Sequence, residues 1–478
     1  MDALAKNNVP SSERRMSEPI SFEEACERVK VCMDAKWKSS DDLEKMKMLE
    51  REKAAILGDE EQMQFYKQEI AKIIEEQGIK AWAPMWYKNL TEGIFAELYG
   101  LAGLAPWVYD ESEEYRNSSS AKLIGDRLYC LIDGRSQLQL QRISSERRQQ
   151  LRRALLMGSP RQRMDQGFHE VYLSNGIRVT IYAGDRTKPD QDIMVFRKYL
   201  LQDDLSFEKL AELGTIPEEA CLLFEMMTRI GFNVLIAGTV RSGKTTFLQI
   251  WQSYEATDKE GLAISTDPET PWDKIMPHTP IMQLVADGED LDAISKSLLR
   301  GDNDYVILEE MRDARSFRLA MEIAGIGTGR CKATVHSGDI PNLPYKIASK
   351  IRSMYGGDEQ SLILQVFTSF HYIFEFGQHE ENRAVKRLKS IYELCYDVET
   401  DTVSMWQICR YDEKDDRWRW NAHIGKDKDD LLSLWPEEAT VMREELEKLT
   451  ARCPIVFEKT IYPRYYHPNM KEREGAHG

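Results

Sequence analysis

The chain has 478 residues, which at about 150 residues per domain leaves room for two to four domains with full hydrophobic cores. Its 64 Lys and Arg face 80 Asp and Glu, a formal charge of −16 that repels polyphosphate backbones at long range, so no direct nucleic-acid partner is expected. Hydrophobic residues at 42% and charged residues at 30% exclude a disordered chain.

Residues 1–17 read as a flexible polar tail, and residues 18–95 as a helical region. Ser21 and Glu24 have capping-box spacing, Gly58 and Gly78 are stop signals, and three helices are predicted. The second and third, near 41–57 and 59–77, carry Leu43, Met46, Leu49, Met63, Tyr66, Ile70 and Ile73 at helical spacing, as a packed hairpin requires. Trp82, Trp86, Tyr87, Trp107 and Tyr109 cluster around two prolines and are expected in a buried core rather than in a membrane-surface belt.

Residues 96–205 read as an α+β domain, with short strands at 128–132 and 177–181 beside the turns Asp133-Gly134 and Asn175-Gly176. Arg142, Arg147, Arg148, Arg152 and Arg153, followed by Arg161 and Arg163, mark a cationic helix. Its first reading is a solvated face, its second an acidic neighbouring subunit and its last a nucleic acid. A third domain, 206–380, opens on Thr215, Pro217 and Glu218-Glu219, with Leu222, Leu223, Met226, Met227 and Ile230 on one helix face and Gly231 as the stop. Residues 381–425 alternate as strands in a β-rich appendage, and 426–478 hold a charged helix near 437–449 and a tail rich in Tyr and Pro. Apolar runs stay below the roughly 18 residues a membrane span needs, no secretory signal is visible, and the scattered cysteines form no CxxC pair, so a reducing, cytoplasmic setting is expected.

The chemistry concentrates at Gly238-Thr239-Val240-Arg241-Ser242-Gly243-Lys244-Thr245-Thr246, a GxxxxGK[S/T] loop behind the apolar run Phe232–Ala237 and ahead of a helix. Glycines let consecutive N–H groups converge on a phosphate, the helix start adds positive potential, Lys244 reaches the β- and γ-phosphates, and the Thr245 hydroxyl suits Mg²⁺. Arg241 either points to solvent or adds charge near the phosphates. The apolar strand Tyr305-Val306-Ile307-Leu308 ends in Glu309-Glu310, followed by Arg312. Glu310 is the candidate for polarising an attacking water, and Glu309 for holding Mg²⁺ through its water shell. Strands 262–266 and 333–336 end at Asp267 and His336, so four polar strand tips fall on one carboxyl edge, where α/β sheets bind ligands.

In this order the elements, over roughly 98–425, resemble the type II/type IV secretion ATPase superfamily, and most closely its tight-adherence pilus and conjugation-type branch. The family's Walker A loop, Asp box, Walker B strand and His box correspond here to Gly238–Thr245, the neighbourhood of Asp267, Asp304–Arg312 and Gly327–His336. Leu173–Val179 and Phe196–Tyr199 are similar to the family's amino-terminal turn and strand, and by that likeness Arg178 and Arg197 lean toward the nucleotide phosphates. The resemblance implies an α/β fold: a parallel-sheet, RecA-like P-loop ATPase domain preceded by an α+β domain and a helical segment. It implies a hydrolase using ATP and Mg²⁺, with Glu310, Lys244 and His336 catalytic and Thr245, Glu309 and Asp267 at the metal. It also implies a homo-oligomeric ring, hexameric, held peripherally at the inner membrane face by integral membrane components of a secretion or pilus machine. Thr239, Val240 and Arg241 in the loop, Thr266, Glu309 and Thr328 depart from the family pattern. They support the alternative of a catalytically weakened, nucleotide-binding structural subunit.

Overall fold

Side-chain capping sets where the first helices begin. Ser21 Oγ accepts from the Glu24 N–H at 3.1 Å at the head of Phe22–Lys38, and Asp59 caps Glu60–Glu76 by accepting from the Gln62 N–H. In the computed structural model the chain divides into two units, Met1–Leu200 and Leu201–Gly478. The structure describes residues 19–38, 42–157, 167–189, 191–199, 204–266, 270–286, 288–298, 301, 303–325, 330–379, 382, 384–456 and 460–461.

In the first unit, Met63, Tyr66, Ile70 and Ile73 form the buried stripe of Glu60–Glu76, and Tyr66 stacks on Tyr99 with ring centroids 4.4 Å apart. The partner helix Asp42–Leu57 buries only its last turn, through Ala55 and Ile56. Leu43, Met46 and Leu49, expected in the hairpin seam, are exposed, in the first half of the helix, where none of the described side chains is buried. The aromatic cluster also splits. Trp107 is fully buried and donates its indole N–H to Ser118 Oγ at 2.7 Å, whereas Trp82 is 84% exposed. A six-stranded antiparallel sheet follows, ordered Arg135–Arg142, Arg127–Ile132, Ser120–Ile124, Ile193–Arg197, Arg178–Tyr182 and Phe168–Tyr172.

The arginine helix Ser145–Met157 corrects the expectation of a solvated cationic face only in part, since Arg153 is exposed and Arg152 half-buried while two other arginines turn inward. Arg147 and Arg148 are buried: Arg147 donates to the Gly100 carbonyl and Arg148 to the Ile143 carbonyl, at 2.8 Å in the latter case. A guanidinium satisfies backbone acceptors that would otherwise be buried without a donor. Arg161 and Arg163 lie outside the described residues.

The second unit is built on a ten-stranded sheet. Six strands run parallel, in the order Tyr372–Gln378, Val234–Gly238, Cys331–His336, Tyr305–Met311, Gly261–Ser265 and Ile281–Val285. Val234–Gly238 is buried at every residue, as a central parallel strand with both faces covered must be. Gly231, at φ 85, ends the helix Cys221–Ile230 and turns the chain toward this strand. Beyond Tyr372–Gln378 the sheet continues antiparallel through Lys386–Asp397, Thr402–Asp412 and Arg417–Trp420. Charge is buried at the amino end of the central strands. Glu255 accepts from Lys332 Nζ at 2.6 Å and also pairs with Arg330, and the Glu255 and Lys332 side chains are fully buried.

Among the described residues no helix is long and apolar enough to cross a membrane.

Candidate functional site

Two glycines shape the turn between the central strand and the helix Lys244–Ser253. A Cβ on Gly238 would stand 2.1 Å from the Phe376 carbonyl oxygen and 2.6 Å from Ser242 Oγ, so only glycine lets the strand end this close to its neighbour. Gly243, at φ 92, takes the left-handed conformation that starts the helix. Between them Thr239, Val240 and Arg241 are exposed, and Arg241 itself sits at φ 62 with its carbonyl accepting from Gln378 Nε2 at 3.0 Å. The Ser242 side chain is fully buried and its hydroxyl oxygen has no hydrogen-bond partner.

Lys244 folds back over this turn. Its ammonium donates to the Gly238 carbonyl at 3.1 Å and to the Thr239 carbonyl at 2.8 Å, and it lies 3.1 Å from His336 Nδ1. His336 ends the neighbouring strand, in register with Gly238, and its Nε2 lies 3.0 Å from Glu310 Oε1. A histidine with its proton on Nε2 satisfies both contacts, accepting from Lys244 and donating to Glu310. The second Glu310 oxygen accepts from Arg312 Nη2 at 2.6 Å. Burial pushes the Glu310 carboxyl upward, but the hydrogen bonds from His336 and Arg312 outweigh it and hold the group at about 2. Burial likewise depresses the Lys244 ammonium to about 8, with the charge of Glu310 opposing the shift.

The sheet therefore brings Lys244, His336 and Glu310 together and sends Glu309 elsewhere. Successive residues of a strand face opposite ways, and the Glu309 carboxylate accepts from the buried Trp272 indole at 2.6 Å. Its backbone carbonyl accepts from Thr334 Oγ1. Thr245 and Thr246 are half-buried in the first turn of the helix. Asp267 and Thr328 lie outside the described residues, whereas Thr266 is half-buried just past its strand. Arg178 and Arg197 are cross-strand partners in the first unit, Arg178 buried and Arg197 exposed.

Three features fit this turn to a phosphate chain: a glycine cradle that a Cβ would fill, an orphaned buried hydroxyl on Ser242, and a lysine poised above the helix start. The Thr245 hydroxyl, in the first turn of the helix, is the kind of hard oxygen donor that a divalent cation such as Mg²⁺ takes. Sequence reasoning missed Trp272 as the partner of Glu309, and it missed Gln378 and Lys386, which reach the turn from a hairpin more than 130 residues later in the chain. No local motif marks such residues, since register across the sheet places them.

Residues 191–349 match the family model described as "Type II/IV secretion system protein". Among curated proteins, an uncharacterized protein of Bacillus anthracis is 22% identical over 220 residues, 46% of this chain and 47% of the relative. The chain thus spans about half the length of the curated relative it matches. Similar solved structures include the VirB11 ATPase of the Brucella suis type IV secretion system, 15% identical, covering 61% of this chain and 95% of that one, with a TM-score of 0.32. The pilus retraction motor PilT with bound ADP is 16% identical, covering 73% and 94% with a TM-score of 0.43, and the Legionella pneumophila ATPase DotB is 14% identical, covering 73% and 88% with a TM-score of 0.40. Residues 191–349 thus form a region that matches the type II/IV secretion system family.

Proposed function

We propose that the chain is a Mg²⁺-dependent, ATP-hydrolysing motor subunit of a type II/type IV secretion, tight-adherence pilus or conjugation-type machine. It works as a hexameric ring, peripheral to the cytoplasmic membrane face and docked on integral membrane components. The observation that carries this reading is the Lys244–His336–Glu310 chain, which joins the glycine turn to the tip of a neighbouring strand.

Thr245 from the helix and the strand-tip acids Glu309 and Asp267 would hold Mg²⁺, which would supply neutralisation of phosphate charge when bound. Glu309 serves there only after releasing Trp272. Lys244 exchanges the carbonyls of Gly238 and Thr239 for phosphate oxygens. Glu310, held at about 2, is too weak a base to take a full proton at neutral pH. Its role is to accept a hydrogen bond from the attacking water and orient it. Arg312 and His336 position that carboxylate.

Phosphate release from Mg·ATP, measured with the sedimentation mass of the same sample, tests the reading. Turnover by a hexamer supports it. Retention of ATP without turnover shifts the assignment to a nucleotide-binding structural subunit, and failure to retain ATP removes both.

A further inference from the structure

A second lysine flanks the glycine turn from outside the motif. Lys386 opens the strand Lys386–Asp397 and pairs with Gln378 at the end of Tyr372–Gln378, which itself runs parallel to Val234–Gly238. This register brings both residues to the turn. Gln378 donates to the Arg241 carbonyl at 3.0 Å, and a Cβ on Gly243 would lie 3.6 Å from Lys386 Cγ and 3.7 Å from Lys386 Cβ. The hairpin is thus one wall of the turn, and the Lys244–His336–Glu310 chain stands on the other side of the central strand. Burial, reinforced by the charge of Arg241, pushes the Lys386 ammonium down to about 8. Arg241 and Lys386 place positive charge beside the amino-terminal end of a ten-residue helix, a setting that favours an anion. The buried Ser242 hydroxyl, which has no partner, lies in the same turn.

We propose that Lys386 is a nucleotide-binding residue that engages the α-phosphate end of the bound nucleotide, while Lys244 takes the β,γ end. This assignment rests on the ATP reading above. The orientation follows from the sheet: the bond that is broken must face Glu310, so the nucleoside end of a phosphate chain laid along the turn points toward the hairpin. A contact to the α-phosphate is the same for ADP and ATP. It therefore supports binding uniformly, raising affinity without accelerating the chemical step.

The test is equilibrium titration of the full chain with fluorescent N-methylanthraniloyl ADP and ATP in Mg²⁺. Lys386→Met is expected to weaken both nucleotides by about tenfold and by the same factor, as loss of one charge-assisted hydrogen bond should. Lys386→Arg should keep both within about threefold, and Lys386→Gln provides a second neutral variant should the methionine variant fail to fold. ADP binding within about twofold of wild type in a folded neutral variant overturns the assignment, as does a loss confined to ATP. A wild type that binds neither nucleotide overturns the ATP reading and this proposal with it, whereas normal wild-type binding with unaffected neutral variants overturns the role of Lys386 alone.

Discussion

Lys244 Nζ lies 3.1 Å from His336 Nδ1, at the point where the helix after the glycine turn meets the tip of a neighbouring strand. Because the other nitrogen of the same ring contacts Glu310, one imidazole touches both the lysine and the carboxylate proposed to orient water. Replacing His336 with Ala is expected to lower kcat by about 100-fold while changing ADP affinity less than about threefold, since the group positions Glu310 without carrying the phosphates. His336→Gln, which can still accept and donate, should recover part of the rate in a steady-state phosphate assay. Equal losses of kcat and ADP affinity would refute the positioning role.

Lys244 is depressed to about 8, and so is Lys386. Below that pH both are cationic, and above it they lose the charge that attracts phosphate. Binding of ADP should therefore weaken as pH rises from 8 toward 10, and complex formation near pH 8.5 should take up protons, since an anion raises a lysine's pKa. Calorimetry in two buffers of different ionisation enthalpy measures the uptake. Lys244→Ala should abolish detectable binding.

Glu310→Gln should retain ATP and reduce phosphate release by about 100-fold or more. The same variant has a stability signature. The folded carboxyl is held at about 2 against an ordinary 4.5, so its contribution is present above pH 4.5 and is lost as the pH falls toward 2. Urea midpoints at pH 5 and pH 3 should consequently drop further in wild type than in the glutamine variant.

The Glu255 carboxylate holds two buried or nearly buried cations, Lys332 and Arg330. Glu255→Gln leaves them without a counter-charge and should cost about 3–5 kcal/mol in urea unfolding, with Lys332→Met in addition restoring part of the loss. An unchanged midpoint in the single variant would show that these charges are compensated elsewhere.

The glycine turn, its lysine and the acidic strand tip were legible without coordinates because each is a local pattern: apolar residues feeding a turn, glycines where the backbone leaves ordinary φ, a helix directly after. The buried stripe of Glu60–Glu76 was legible for the same reason, through its 3.6-residue period. Leu43, Met46 and Leu49 followed that period equally well and are exposed, because periodicity reports which residues share a face and not whether anything covers it. Arg147 and Arg148 show the converse, since a charge in a helix can be buried wherever backbone carbonyls need a donor.

By itself the amino-acid sequence determined the strand, turn and helix around Gly238–Thr245, the apolar strand that carries Glu309 and Glu310, and the residue types offered to a phosphate there. Only the tertiary structure decided which of two adjacent glutamates faces the lysine, that His336 joins them, and that Gln378 and Lys386 arrive from a distant hairpin. The physical reason is that strand alternation and sheet register turn residues far apart in the chain into neighbours, and both are set by pairing across the sheet, which no local stretch of sequence encodes.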